Sequence, residues 1–327
     1  MIWATSGLAG AGAQSGFAEF TVPGWAWAAF IVGISGLLVF DLLVLHRRPH
    51  VIGLREAAIE SSAWISIGLG FAVVMLLWHG GAAAGEYLAG YLIEESLSVD
   101  NVFVWAVILG YFAVPREYQF RVLFWGIFGA LVLRAIFIFA GVTLIQHFDW
   151  VLYLFGGFLI FTAIRIARHE DVEVHPEANP ILRVIRRIIP STTDYDGQKL
   201  FTTRSGRLLA TPLFAVLIMI ETTDVVFAVD SIPAVLAVSR HPFIVFTSNA
   251  FAIMGLRALY FLLAGMAGRF RYLNLGIGVI LGFVGLKMIV AEWYHFPTWA
   301  SLAVIVVVLI VTVVTSLYAE RREAASG

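Results

Sequence analysis

Six carboxylates stand in stretches of chain that are otherwise almost wholly apolar. Glu94, Glu95 and Asp100 lie in GYLIEESLSVDNVFVW; Glu221, Asp224 and Asp230 lie in AVLIMIETTDVVFAVDSIPAVL. A carboxylate near a bilayer centre costs roughly 2.5–3.5 kcal/mol on insertion scales, and such residues mark ion paths or charge partners. Ser98, Asn101, Thr222, Thr223, Ser231 and Asn249 add hydroxyl and amide oxygens, and no histidine or cysteine falls within the core of these segments. An all-oxygen set suits the hard divalent ions Mn²⁺, Mg²⁺ and Ca²⁺. It fits Zn²⁺ and Cu⁺ poorly, since these prefer nitrogen and sulfur. The oxygens alone do not separate Mn²⁺ from Ca²⁺.

Spacing limits how the acids can meet. Residues six apart lie about 120° apart on an ideal helix. Glu94 with Asp100, and Asp224 with Asp230, therefore converge only where the helix unwinds between them. The weak helix formers of LSVDN (97–101), and Pro233 after Asp230, predict such a break. It would also free backbone carbonyls as ligands, as in many transporters. Glu221 and Asp224, three apart, share a face without it. Arg134, Arg257 and Lys287 are the bases available for charge balance or gating. Six acids against three bases leave acids over. Asp41, in VFDLLVLHRR, either guards an inner entrance or pairs with Arg47 or Arg48.

The segments that must position these groups are apolar helices. Of 327 residues, 60% are hydrophobic and 13% charged, against about a quarter charged in soluble domains. Apolar runs of about 20 residues recur along the chain, each long enough to span a bilayer. Nine spans are expected, at about 25–46, 61–82, 86–113, 119–145, 149–167, 208–237, 242–266, 271–291 and 298–319. This defines an all-α polytopic membrane protein. Arg47, Arg48, Arg55, Arg116, Arg121, the basic residues of 165–207, Arg269, Arg271, Arg321 and Arg322 all fall on one side of these spans, with Arg240 opposite. The positive-inside rule then puts the N-terminus outside and the C-terminus in the cytoplasm. Zero cysteines exclude a disulfide framework or thiolate site. A net charge of −1 gives no field for nucleic acid.

The organisation follows from the spans. Residues 1–24 lack a basic n-region and read as an exposed tail rather than a signal peptide. Residues 25–82 hold two peripheral helices. Residues 83–167 and 208–291 hold two three-helix units, separated by a cytoplasmic loop at 168–207; residues 292–327 hold the last span and tail. Within the loop, PILRVIRRIIP is a basic amphipathic stretch suited to an anionic membrane surface. KLFTTRSGRLLATP predicts a hairpin turning at Ser205-Gly206. The two units resemble each other: LSVDN matches FAVDS (227–231), Leu133-Arg134-Ala135 matches Leu256-Arg257-Ala258, and Tyr153-Leu154 matches Tyr272-Leu273. An offset of three spans makes this an inverted repeat, which places a substrate site at the repeat interface. Glu95 has no counterpart and is left out of the site.

The longest of these strings, among them GYLIEESLSVDNVFVW, ATPLFAVLIMIETTDVVFAVDSIPA and FIVFTSNAFAIMGLRALYFLLAG, closely resemble the TerC/Alx family of bacterial inner-membrane proteins, nearest its Alx branch. The resemblance covers nearly the whole chain. It implies manganese export from the cytoplasm. Other family members are linked to tellurium resistance and to supplying metal to exported enzymes. It also implies an intramembrane acidic motif, which maps here onto Glu94, Asp100, Asn101, Glu221, Asp224, Asp230 and Ser231. The Glu95 position accepts a base in Alx-like relatives, a further reason to leave it out.

The expectation is a secondary transporter, not an enzyme, moving divalent cations without a resident cofactor. No GxxxxGK[ST] motif or ATPase domain is present, so export would draw on an ion gradient or the membrane potential. Moving two positive charges outward against 100 mV costs about 4.6 kcal/mol, which exchange for protons would offset. The alternatives are a metal-binding scaffold that metalates exported proteins, and a Ca²⁺/proton antiporter. An aspartyl protease built on Asp100 and Asp230 is disfavoured by the lack of a YD and GxGD pair. The lipid bilayer and the metal ion are the partners implied; no protein partner is.

Overall fold

The computed structural model describes residues 17–18, 20–45, 50–148, 150–167, 189–204, 206–263, 272–290, 293 and 298–326. Helix α1 (Gly24–Phe40) runs into a π-helical turn (Asp41–Leu45). It is followed by α2 (Leu54–Tyr111), α3 (Arg116–His147) and α4 (Trp150–Ala167). A short hairpin, β1 (Phe201–Arg204) and β2 (Arg207–Ala210), precedes α5 (Pro212–Leu236), α6 (Pro242–Leu263), α7 (Leu273–Val290) and α8 (Thr298–Ser326). Among the described residues, six helices are long and apolar enough to cross a membrane, and α4 and α7 contribute shorter apolar stretches. Val32, Leu77, Ile136, Phe161 and Val307 point outward, as lipid-facing residues do.

Two local expectations change. The 58 residues of α2 would extend about 90 Å at 1.5 Å each, three times a bilayer core. The helix is interrupted at Gly80, with φ 84° and ψ −177°, a region essentially restricted to glycine. The break between the second and third expected spans therefore falls here. The predicted unwinding at LSVDN does not occur: residues 97–101 stay helical, and α5 continues through Pro233. Unwinding would strip backbone groups of partners where water is scarce.

The helices pack in a definite pattern. α2 packs most extensively on α6, α4 on α7 and α3 on α5, with further contacts of α2 with α5 and α3 with α6. α6 is almost wholly buried. Small residues allow the close approaches, as in membrane helix packing generally. Gly126 and Gly141 of α3 meet Ile220 and Leu236 of α5, and Gly156 of α4 meets the backbone of Gly285 in α7.

The predicted hairpin is present, with Phe201 opposite Ala210, Arg204 opposite Arg207 and Gly206 at φ +73°. The stretch PILRVIRRIIP lies almost entirely outside the described residues. The expected exposed tail needs correction at its end. Phe17, Ala18 and Phe20 are half-buried, because they dock on side chains of α2, α7 and the α5–α6 connection. Residues 1–16 and 19 lie outside the described set.

The α4–α7 contact gives a direct test. A Cβ on Gly156 would lie 2.9 Å from the Gly285 carbonyl, whereas one on Gly157 would meet nothing within 4 Å. Gly156→Val is expected to destabilise the protein by about 1–3 kcal/mol, the usual range for overpacking. Thermal unfolding in detergent should show this loss, with Gly157→Val near wild type.

Candidate functional site

The site is organised around Arg134, near the middle of α3. Its Nε donates to Asp224 Oδ2 at 3.2 Å and its Nη2 to Asp224 Oδ1 at 3.0 Å. This fork-on-carboxylate geometry is open to arginine but not to lysine. Nη1 donates to Ser231 Oγ at 3.4 Å and also pairs with Glu94 Oε1. Arg134, Asp224, Ser231 and Glu94 are all buried. Glu94 comes from α2 and Asp224 and Ser231 from α5. One guanidinium therefore gathers acids from both segments singled out in the sequence.

Beyond this pair lies a row of oxygens. Glu94, Ser98 and Asn101 stand at i, i+4 and i+7, on one face of α2, and all three are buried. Glu94 Oε2, Ser98 Oγ and Asn101 Oδ1 have no hydrogen-bond partner among the described residues, and the same holds for Glu221 Oε2 and Glu95 Oε2. Buried polar atoms are nearly always paired, so each exception calls for an explanation such as an absent ion or water. Glu221 is half-buried against Gly129 of α3, where a Cβ would overlap its carboxylate. It and Asp224 feel each other's charge.

The remaining acids separate as an unbroken helix requires. Asp230 faces α4 and accepts a hydrogen bond from Thr162 at 3.0 Å. Asp100 lies in α2, but its side chain is outside the described residues. Among those residues no group of three or more histidines and acids is arranged to hold a metal. Arg134 occupies the centre of the acids instead.

The other two bases have partners of their own. Arg257 of α6 pairs through Nη1 with Asp41 Oδ2 at 2.5 Å, both buried, and lies 4.2 Å from the Phe120 ring centroid. Arg47 and Arg48, the sequence neighbours expected as partners of Asp41, lie outside the described residues. Asp41 is turned inward by the π-helical turn, a feature that often marks functional sites. Lys287 of α7 interacts electrostatically with Glu86 and Arg240. Glu86, fully buried, also accepts the Ala18 N–H at 2.5 Å and meets the Ser239 side chain. Sequence reasoning missed Glu86, because as the first residue of an expected span it looked interfacial. The available signal was its spacing, two helical turns before Glu94.

His241, between α5 and α6, belongs to this second cluster. Its Nε2 lies 2.9 Å from the Phe20 carbonyl oxygen. Burial holds its pKa below the ordinary imidazole value; nearby His79 adds to the lowering, and the Phe20 carbonyl opposes it.

Fold and site together define a polytopic α-helical membrane protein with ion-paired acids buried between its helices. The model of the TerC family, described as integral membrane proteins, matches residues 79–324, and the chain belongs to that family. It is 47% identical over 297 residues to STKORF319, a membrane protein of Myxococcus xanthus whose name assigns no function, covering 90% of this chain and 93% of that one. It is 45% identical over 305 residues to Alx of Escherichia coli K12, covering 90% and 95%. It is 43% identical over 308 residues to Alx of Photorhabdus laumondii, covering 91% and 96%. The name of Alx gives it a provisional role as a membrane-bound redox modulator. No solved structure matches this chain.

Two expectations follow. Removing one partner of a buried ion pair costs about 3–5 kcal/mol, because the other charge is stranded. Arg134→Gln is expected to lower thermal stability on that scale in detergent. Adding Asp224→Asn should restore part of the loss, since the two are coupled. The second concerns pH. A histidine with a depressed pKa binds fewer protons folded than unfolded. Its contribution to stability is present above the unfolded value and is lost as pH falls through about 6.5. The melting temperature of wild type should drop more steeply below that pH than that of His241→Gln, with His79, Glu86, Lys287 and Arg240 common to both.

Proposed function

We propose that this protein is a secondary transporter that exports hard divalent cations, Mn²⁺ foremost, across the bacterial inner membrane in exchange for protons. The observation that carries this reading is the buried row of Glu94 Oε2, Ser98 Oγ and Asn101 Oδ1, without hydrogen-bond partners among the described residues and continuous with the Arg134 pair. Leaving such oxygens dry and unpaired is costly. A hard cation would satisfy several at once. Arg134 then stays as the resident positive charge on Asp224, and the incoming metal takes over its contact with Glu94. Preference for Mn²⁺ over Ca²⁺ comes from the resemblance to the TerC family, not from the oxygens.

The packing is compatible with nine spans built around an inverted repeat. Exchanging the second half of α2, α3 and α4 for α5, α6 and α7 turns the α2–α6 contact into α3–α5 and leaves α4–α7, α2–α5 and α3–α6 unchanged. All five contacts are present. On this reading the acids lie at the interface of the repeats, with the N-terminus outside and the C-terminus cytoplasmic. A second reading is a scaffold that delivers metal to exported proteins; the name of the Alx relatives speaks of redox modulation at the membrane and not of transport. With no cysteine in the chain, its own side chains cannot carry out thiol–disulfide exchange, so an effect on redox state would run through metal supply.

The test is Mn²⁺ flux into proteoliposomes holding only this protein. Wild type is expected to move Mn²⁺, with Asp100→Asn, Asp224→Asn and Asp230→Asn each slowing it at least about tenfold, a loss of ~1.4 kcal/mol or more in the barrier. Collapsing the proton gradient at fixed potential should also slow it. Folded protein that moves no divalent ion at any pH or potential would favour the scaffold.

A further inference from the structure

The docked N-terminal residues do more than pack. The Phe20 ring lies between two imidazoles, stacked on His79 with centroids 3.9 Å apart at 20° and on His241 with centroids 3.9 Å apart at 13°. The Phe20 carbonyl faces His241 Nε2 at 2.9 Å. Ala18 donates its N–H to Glu86 at 2.5 Å. Phe17 lies under two cations, 5.0 Å from the Arg240 guanidinium carbon and 5.7 Å from Lys287 Nζ. Three residues thus use aromatic stacking, a charge-assisted hydrogen bond and two cation–π contacts, each a recognised favourable interaction.

The places they touch are joints. His79 immediately precedes the Gly80 break in α2. His241 immediately precedes α6, and Ser239 and Arg240 lie in the connection from α5. Lys287 is in the last turn of α7. Glu86 belongs to the first three-helix unit; His241, Arg240 and Lys287 belong to the second or its connection. The segment therefore bridges the two units at one end of the bundle, over a carboxylate that has no exposed surface. The basic-residue bias puts this end outside.

We propose that Phe17, Ala18 and Phe20 form a strap that closes this end of the bundle and ties the two units together, and that it must lift before Glu86 can meet solvent. With the strap seated, the units cannot move apart at this end, because Ala18 is bonded to Glu86 of the first unit while Phe20 and Phe17 are held by His241, Arg240 and Lys287 of the second unit and its connection. When it lifts, Glu86 and Ser239 become the floor of an opening that leads along α2 towards Glu94.

The chain lacks cysteine, so a single introduced thiol reports on this directly. Ser239→Cys, at a buried position beside Glu86, is reacted with a hydrophilic maleimide in the full-length protein in detergent. Ser301→Cys, buried in α8, serves as a remote reference. Labelling at 239 is expected to be slow with Phe20 present, at least tenfold faster with Phe20→Ala, and slow again with Phe20→Trp, which keeps the stack. Labelling at 301 should stay slow throughout. Equal rates at 239 with and without Phe20 would overturn the strap. So would Phe20→Ala exposing position 301 as well, since the segment would then be a brace for the whole fold. Mn²⁺ flux adds an arm that rests on the transport reading: Phe20→Ala should carry Mn²⁺ faster than wild type. Absence of flux from both proteins would count against transport and leave the labelling result standing.

Discussion

Everything in this bundle answers to one constraint: a charge buried among apolar helices must be neutralised where it stands. Moving an ionised group into a low-dielectric interior costs several kcal/mol even after relaxation. The structure meets this with three local groupings. Arg134 takes Glu94 and Asp224, Arg257 takes Asp41, and Lys287 stands by Glu86. Each joins residues from different helices. Arg134 ties α2, α3 and α5 into one register, and Arg257 ties α6 to the end of α1. Such pairs are weak grounds for net stability, but they fix which helix faces which, because any other register strands a charge.

A second constraint, that backbone groups in a membrane must find partners within the chain, decides how the acids divide. Since α2 and α5 stay helical through their acidic stretches, residues six apart face different neighbours. Asp224 turns to Arg134 on α3, while Asp230 turns to Thr162 on α4. The same rule keeps Glu94, Ser98 and Asn101 on one face and so creates the row of oxygens. The continuous helix does for these three what the expected unwinding was invoked to do for Glu94 and Asp100. The chain is broken at Gly80 instead, where glycine meets the backbone geometry without a side-chain clash.

Much of this was legible in the sequence, and the exceptions share a cause. Apolar runs and basic-residue bias pointed to helices; carboxylates in apolar segments pointed to Glu94 and Asp224; Ser205-Gly206 between two short polar–apolar runs pointed to the hairpin. Composition could not say which base meets which acid, because a side chain of arginine's length reaches several helices. Asp41 meets Arg257, more than two hundred residues away, a partner that proximity in sequence does not suggest. Glu86 was passed over because hydropathy sees where a segment begins, not what covers it. Its cover is supplied by Ala18, from a tail whose composition gave no sign of docking.

The charge count at the centre bears on the proposed exchange. Glu94, Asp224 and Glu221 together carry three negative charges when ionised, and Arg134 returns one. Counted over these four groups, with Glu95, Asp100 and Asp230 left out, the balance of minus two equals the charge of one divalent cation, or of two protons. A site that is neutral with either occupant, and costly to leave empty, resists carrying a net charge across the low-dielectric interior unaccompanied. In the proposed exchange, that condition would couple the two fluxes without any further device. A lysine in place of Arg134 would preserve the count but not the two parallel hydrogen bonds to Asp224. Charge alone therefore does not account for the arginine. Its fork holds Asp224 in place on α5 while the single contact to Glu94 is the one a metal can most readily displace.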